Sequence, residues 1–409
     1  MNPNKQYSLF NIAVLVAALG YFVDIYDLLL FSIIRIESLR SLNITGEQLL
    51  IEGEKIIQWQ MWGLLTGGII WGVMGDKKGR LSVLFGSILL YSIANICNGF
   101  VQTVDQYKLI RFIAGLGLAG ELGIGITLVS ELTPKNKRGL ATSLVAGVGL
   151  TGAIAAFALK QYFSWRTCYF IGGGLGILLL LLRISVFESS IYSETKKLDI
   201  QRGNLWMLVN KKERLKRYVT GILIGLPTWF VIGVMVTFSS EFGKYMKITG
   251  PIDPGKSIMF AYAGISAGDI LIGFISQWLQ SRKKALYLFY GITIVFMLLF
   301  FTVQWNGHPE HMYWICAGLG FGTGFWAIFV TMGAEQFGTN LRATAATTIP
   351  NMVRGMLAVC ILPLFQWLRG ITNYYTGGWI TAIIIMTITI IAAILSKETF
   401  NKDLDFLEK

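Results

Sequence analysis

Charge is the first scarcity. Asp, Glu, Lys and Arg make up only 14% of the 409 residues, where a soluble domain carries about 25%, and this excludes a soluble globular chain. Histidine and cysteine are almost missing, with two and four residues. Cys97, Cys168, Cys316 and Cys360 each fall inside an apolar stretch, with neither disulfide nor metal-ligand spacing, and read as small core residues. The histidines, in the run His308-Pro-Glu-His311, stand in a short loop with little else to ligate an ion, so no metal site and no cofactor is expected. A nucleophile–base constellation is lacking as well, which argues against an enzyme. No cleavable leader is visible: the first apolar stretch is too long for one, carries Asp24 and Asp27, and has no small-residue cleavage site.

What is abundant is apolar length. The chain is 54% hydrophobic, with a mean hydropathy of +0.59. Twelve apolar stretches can be marked, at 10–36, 57–75, 82–101, 108–130, 140–159, 166–186, 218–240, 257–280, 285–305, 312–334, 343–369 and 378–396. Each is near the roughly 20 residues that cross a bilayer as a helix, and their continuity leaves little room for the alternating pattern of a membrane barrel. The expectation is an all-α membrane protein with twelve transmembrane helices.

The net charge of +12 reports topology rather than a nucleic-acid partner. If the N-terminus is inside, the inner segments hold most of the Lys and Arg, as the positive-inside rule requires, and both termini are cytoplasmic. The only long inner segment, 187–217, contains Lys196, Lys197, Arg202, Lys211, Lys212, Arg214, Lys216 and Arg217. It reads as a basic amphipathic linker lying on the anionic inner leaflet. It divides the chain into an N-terminal six-helix bundle, 1–186, and a C-terminal one, 218–409.

The two halves are punctuated alike. Glu131-Leu-Thr-Pro-Lys-Asn-Lys-Arg138 follows the fourth stretch, and Glu335-Gln-Phe-Gly-Thr-Asn-Leu-Arg342 follows the tenth, about half the chain length away. Their matching spacing predicts salt bridges that close the inner side. After the second stretch comes Gly72-Val-Met-Gly75-Asp76-Lys77-Lys78-Gly79-Arg80. Here Gly72 and Gly75 admit a close neighbour, Asp76 suits a helix N-terminus, and Gly79 permits a tight reversal. The corresponding loop after the eighth stretch is degenerate, with Gln277 at the aspartate position.

Charges inside the spans are costly and mark function. Asp24 and Asp27 lie on one side of the first helix, and Arg111 opens the fourth span at a matching depth. A carboxylate alternately paired with and separated from a guanidinium changes its proton affinity, so these three are candidates for proton coupling. The alternative is a static pair locking the first and fourth helices. Glu121 and Asp269 are further intramembrane acids, with Asp269 and Arg354 the simplest pairing in the second half. Tyr26, Trp229 and Asn351 join Glu121, Asp269 and Arg354 as candidate cavity residues. Pro227 is expected to bend the seventh helix beside that cavity.

The loop 72–80 and the run Arg111-Phe-Ile-Ala-Gly115-Leu-Gly117 resemble signature motifs of the major facilitator superfamily. The resemblance implies two six-helix halves related by a pseudo-two-fold axis along the membrane normal. It also implies that Asp76 latches one conformation, and that Asp27 and Arg111 match the proton-coupling pair of the family's sugar porters. The stretch Phe22–Phe31, the run 121–139 and Arg183–Tyr192 are similar to the metabolite–proton symporters, the group of proline/betaine, citrate, oxoglutarate and shikimate carriers. That group more often has Glu-Trp-Tyr-Asp where this chain reads Asp24-Ile-Tyr26-Asp27. The implied function is uptake of a small polar metabolite, an organic anion or zwitterion, by proton symport with alternating access. The implied setting is a monomer in a bacterial inner membrane, with the solute, protons and the lipid bilayer as partners. The alternatives are an exporter or exchanger, for instance of a siderophore or drug, and a solute sensor that does not transport. The fifth span lacks the Gly-Pro pair typical of the family's drug–proton antiporters, which lowers the export reading. Asn43-Ile-Thr45 is formally a glycosylation sequon.

Overall fold

The computed structural model describes residues 12–133, 138–183, 203–302, 305, 307–402 and 406–408; the side chains of Arg80, Glu131 and Arg138 are among the few within those ranges left undescribed. Among the described residues all regular structure is helical, in twelve rods and one short helix, Leu205–Val209, ahead of the seventh rod. The first six are α1 (Ile12–Ser41), α2 (Glu47–Lys78), α3 (Arg80–Asn98), α4 (Val104–Leu118 continued by Glu121–Leu132), α5 (Arg138–Leu150 continued by Gly152–Lys160) and α6 (Trp165–Arg183). The second six are α7 (Lys212–Ile224, Leu226–Phe230, Val231–Val236 and Ser239–Tyr245), α8 (Pro254–Trp278), α9 (Arg282–Thr302), α10 (Pro309–Gly322 and Trp326–Glu335), α11 (Arg342–Met356, Leu357–Ile361 and Leu362–Ile371) and α12 (Tyr374–Leu395).

Local sequence sets many of the starts. Thr103 and Gln106 form a reciprocal capping box at α4, and Asp253 caps α8 just ahead of Pro254. Ten of the rods are long and apolar enough to cross a membrane. Of the other two, α2 is diluted by Gln58, Gln60 and its glycines, and α4 contains residues whose side chains are not described. Large apolar side chains such as Leu89, Ile93, Ile391 and Ile394 are exposed on the outside of the bundle, a surface that only lipid would cover without penalty.

Glycine lets helices touch where function gathers. A Cβ at Gly63 would strike the Phe112 carbonyl, and one at Gly115 would strike that of Gln60, so α2 and α4 lie backbone to backbone. Gly79, between α2 and α3, has φ of 105°, the left-handed region that its place in the loop required. The wide π-turns of α7 and α11, Val231–Val236 and Leu357–Ile361, meet where Gly233 faces Leu357. Pro227 stands at the start of the short segment leading into the first of them.

Part of the linker expectation is corrected. Residues 187–202 lie outside the described residues, but Lys212, Arg214, Lys216 and Arg217 already belong to α7. Arg214 is buried, and Arg217 donates to the Gln336 carbonyl at 2.5 Å and to the Glu408 carboxylate at 2.9 Å. These two cations turn onto the chain's own C-terminal end, because a carboxylate there neutralises them better than a lipid surface would.

Candidate functional site

At the centre, α1 delivers Asp24 and α11 delivers Arg354, one from each half. Arg354 Nη2 lies 3.8 Å from Asp24 Oδ2, and both side chains are buried. The guanidinium sits over two indoles, 5.9 Å from the Trp229 ring and 5.8 Å from that of Trp326, within cation–π range. Tyr21 of α1 and Tyr262 of α8 stand close enough to interact electrostatically with both charges. Trp326, Tyr21 and Tyr262 escaped the sequence reading. The one signal was the Gly322-Thr-Gly324 run, a helix interruption inside a span that exposes the first residues of the next segment.

The expected pair Asp27 and Arg111 is brought together. Arg111 Nη1 donates to Asp27 Oδ1 at 3.1 Å, and Nη2 donates to the Asp27 carbonyl at 3.0 Å. Arg111 also lies over the Tyr169 ring at 5.7 Å, and Tyr169 shares a 2.8 Å hydroxyl contact with Tyr107. All of these groups belong to the first six helices.

Other expected cavity residues are placed differently. Asp269 does not pair with Arg354: its Oδ1 accepts the Ala327 N–H at 3.0 Å, capping the second segment of α10. A helix interruption leaves unpaired N–H groups, and a carboxylate at that positive end satisfies one of them. Tyr26 is turned away from the centre, its hydroxyl donating to the Cys168 carbonyl of α6 at 2.8 Å. Asn351 reaches from α11 to the interruption of α4, donating to the Ala119 carbonyl at 2.7 Å. Glu121 opens the segment after that interruption and is buried. Trp229 lies beside Arg354, its ring 5.9 Å from the guanidinium.

Toward the face that holds the C-terminal end, Asp76 bridges the halves. It accepts the Ala343 and Thr344 N–H groups at 3.2 and 2.8 Å and the Thr344 hydroxyl at 2.6 Å. It thereby caps α11, while the same hydroxyl contacts the Gly72 carbonyl at 3.2 Å. Glu335 is paired with Arg282 at 3.2 Å, and Arg342 is buried at the start of α11. The side chains of Glu131, Arg138 and Arg80 lie outside the described residues.

The far face carries cross-half ion pairs that the sequence did not reveal. Arg35 of α1 meets Glu241 of α7 at 3.0 Å. Glu54 of α2 accepts from Arg369 of α11 at 2.9 Å and from Gln366 at 2.7 Å. Lys160 of α5 stands 3.6 Å from Asp253 at the start of α8. The last two correspond, since a two-fold that exchanges helices six apart carries α2 and α11 onto α8 and α5. Beside Glu241 and the Lys160–Asp253 pair opens a cavity of ≈ 1020 Å³, lined also by Glu37, Arg40 and Lys244 among others.

The family model described as Major Facilitator Superfamily matches residues 10–363. The niacin transporter NiaP of Acinetobacter baylyi is 24% identical, with 95% of this chain and 94% of the relative covered. The inner membrane metabolite transport protein YhjE of Escherichia coli is 28% identical over 83% of this chain and 82% of its own. Among solved structures, the proton:xylose symporter XylE superposes with a TM-score of 0.74 at 16% identity, covering 96% of this chain and 97% of the other.

Proposed function

The chain belongs to the major facilitator superfamily, a membrane transporter of twelve helices in two halves, and from that premise we propose that it takes up a small organic anion or zwitterion together with protons. The observation that carries this reading is the Asp24–Arg354 contact, which spans the two halves at 3.8 Å. Rocking of one half against the other changes the separation of that pair. It does not change the Asp27–Arg111 pair, held within the first half by two hydrogen bonds. A buried carboxylate cannot stay charged without a partner, so separation from Arg354 obliges Asp24 to bind a proton. We therefore assign coupling to Asp24, with Asp27 and Arg111 holding α1 against α4.

The remaining parts fit an alternating-access cycle. Asp76 of α2, capping α11, closes the face we assign to the cytoplasm, with both termini there. The pairs of Arg35, Glu54 and Lys160 close the outer face, in a bacterial inner membrane. A zwitterion entering with one proton carries one charge down about 100 mV, worth roughly 2.3 kcal/mol and about a fiftyfold gradient. A monoanion entering with one proton moves no net charge and is driven by the pH gradient alone.

Reconstitution in proteoliposomes tests the reading. A symporter acidifies the lumen as solute enters, an exchanger needs internal solute, and a sensor gives no counterflow at all. Asp24→Asn is expected to abolish pH-driven accumulation while leaving solute counterflow; unchanged accumulation in that variant rules the assignment out.

A further inference from the structure

Around Arg354, buried hydrogen-bond donors accumulate without acceptors. Arg354 Nε, Trp229 Nε1 and Trp326 Nε1 are all buried and have no hydrogen-bond partner. An indole N–H and a guanidinium donate and never accept, so no rearrangement among these three residues satisfies them. The acceptor at hand, Asp24, stands off: neither of its carboxylate oxygens has a hydrogen-bond partner either. Arg354 Nη1 has only a 3.4 Å contact with Asn351 Oδ1. Donors and acceptor thus face each other, nine-tenths or more buried, without forming the bonds their chemistry allows.

We propose that this cluster is a monocarboxylate site whose occupation hands a proton to Asp24. The solute's carboxylate, acceptor-only with two oxygens, docks on the guanidinium of Arg354 and the indole N–H groups of Trp229 and Trp326. It takes Arg354 from Asp24, and the Asp24 carboxylate, left buried beside no cation, binds one proton from solution. One anion and one proton enter, nothing is oxidised or reduced, and the net charge of the loaded protein is unchanged. The number of carboxylates is one because one central cation is free to receive it. Arg111 is committed through both terminal nitrogens to Asp27, and a second anionic group would meet Asp27, Glu121 and Asp269. The titratable groups that act on Asp24 are Arg354 of α11, Glu121 of α4, Asp27 of its own helix, and the Tyr21 and Tyr262 hydroxyls of α1 and α8. The rings of Trp229 and Trp326, 6.5 Å apart and inclined at 68°, offer apolar walls to the solute's body.

The inference rests on the proton-symport reading but is tested by binding alone. Full-length protein in detergent is titrated with acetate, pyruvate, benzoate and nicotinate, each set against its amide, with tryptophan fluorescence and thermal shift as readouts. At least one carboxylate is expected to bind tenfold or more tightly than its amide, and to draw about one proton from weakly buffered solution. Asp24→Asn keeps that binding and loses the proton uptake. Arg354→Gln loses binding a hundredfold or more, with its melting curve reporting whether it folds, and Trp326→Phe, which keeps a ring and removes the N–H, weakens binding severalfold. Amides binding as well as acids, preference for a cation such as choline, silence from every carboxylate, or undiminished proton uptake by Asp24→Asn each overturn the proposal. A carboxylate that binds as expected while lumenal pH stays flat during transport leaves the site standing and sinks the symport reading instead.

Discussion

At the scale of single residues, charges buried in this chain differ in whether they are free to change partner. Arg111 is bonded twice to Asp27 and stacked on Tyr169. Removing one member of such a pair strands a charge, so Arg111→Gln should destabilise the protein by about 3–5 kcal/mol. The double variant Arg111→Gln with Asp27→Asn should recover part of that loss in thermal melts; no recovery would mean the two do not act as a pair. Glu398, beyond the end of α12, behaves oppositely to a membrane acid. Burial resists its ionisation, but the Ser281 hydroxyl and the N–H groups of Phe400, Arg282 and Lys283 outweigh burial and hold its carboxyl below the usual range. A lowered folded-state value means the stabilisation is complete above the ordinary carboxylate range, about pH 4.3. It is lost as pH falls through the lower folded value. The melting temperature of Glu398→Gln should therefore lie below that of the parent at neutral pH, with the gap closing in acid.

At the scale of helices, interrupted rods explain residues that a charge census misassigns. Asp269 reads as a cavity acid because it is an acid in a span, yet its carboxylate caps the second segment of α10. Asparagine caps a helix about as well as aspartate, and alanine costs about 1 kcal/mol. Asp269→Asn should therefore keep stability and uptake rate, where Asp269→Ala loses both; loss of pH-driven uptake in the asparagine variant alone would show that its proton matters. Asp76 was legible from its motif, because a short local pattern of glycine, acid and base signals a loop. Its partner was not, since the N–H groups of Ala343 and Thr344 belong to a helix more than 260 residues onward.

At the scale of the whole molecule, the halves are bonded at both faces and at the centre. The Glu54–Arg369 and Asp253–Lys160 pairs repeat one arrangement on either side of the two-fold. The Lys160–Asp253 pair is partly exposed and worth under about 1 kcal/mol, so Lys160→Gln should hardly move the melting temperature. Glu54 is buried and bonded to Arg369 and Gln366, so Glu54→Gln should lower it more. Together the two substitutions should populate an outward-open state, seen as longer spin-label distances across the outer face by electron–electron resonance. An unchanged distance distribution in the double variant removes these pairs from the gate.

The amino-acid sequence by itself determined that the chain crosses a membrane twelve times, that its halves repeat, and that Asp27 and Arg111 share a depth. A bilayer demands apolar length, and length is written in the order of residues. Tertiary structure alone decided that Arg354 answers Asp24 and not Asp269, that Tyr26 turns to α6, and that Trp326 enters the centre. Which side chains meet depends on how each rod is rotated and tilted. In lipid, where both faces of a helix are apolar, that rotation is set by glycine contacts and helix interruptions between segments far apart in the chain.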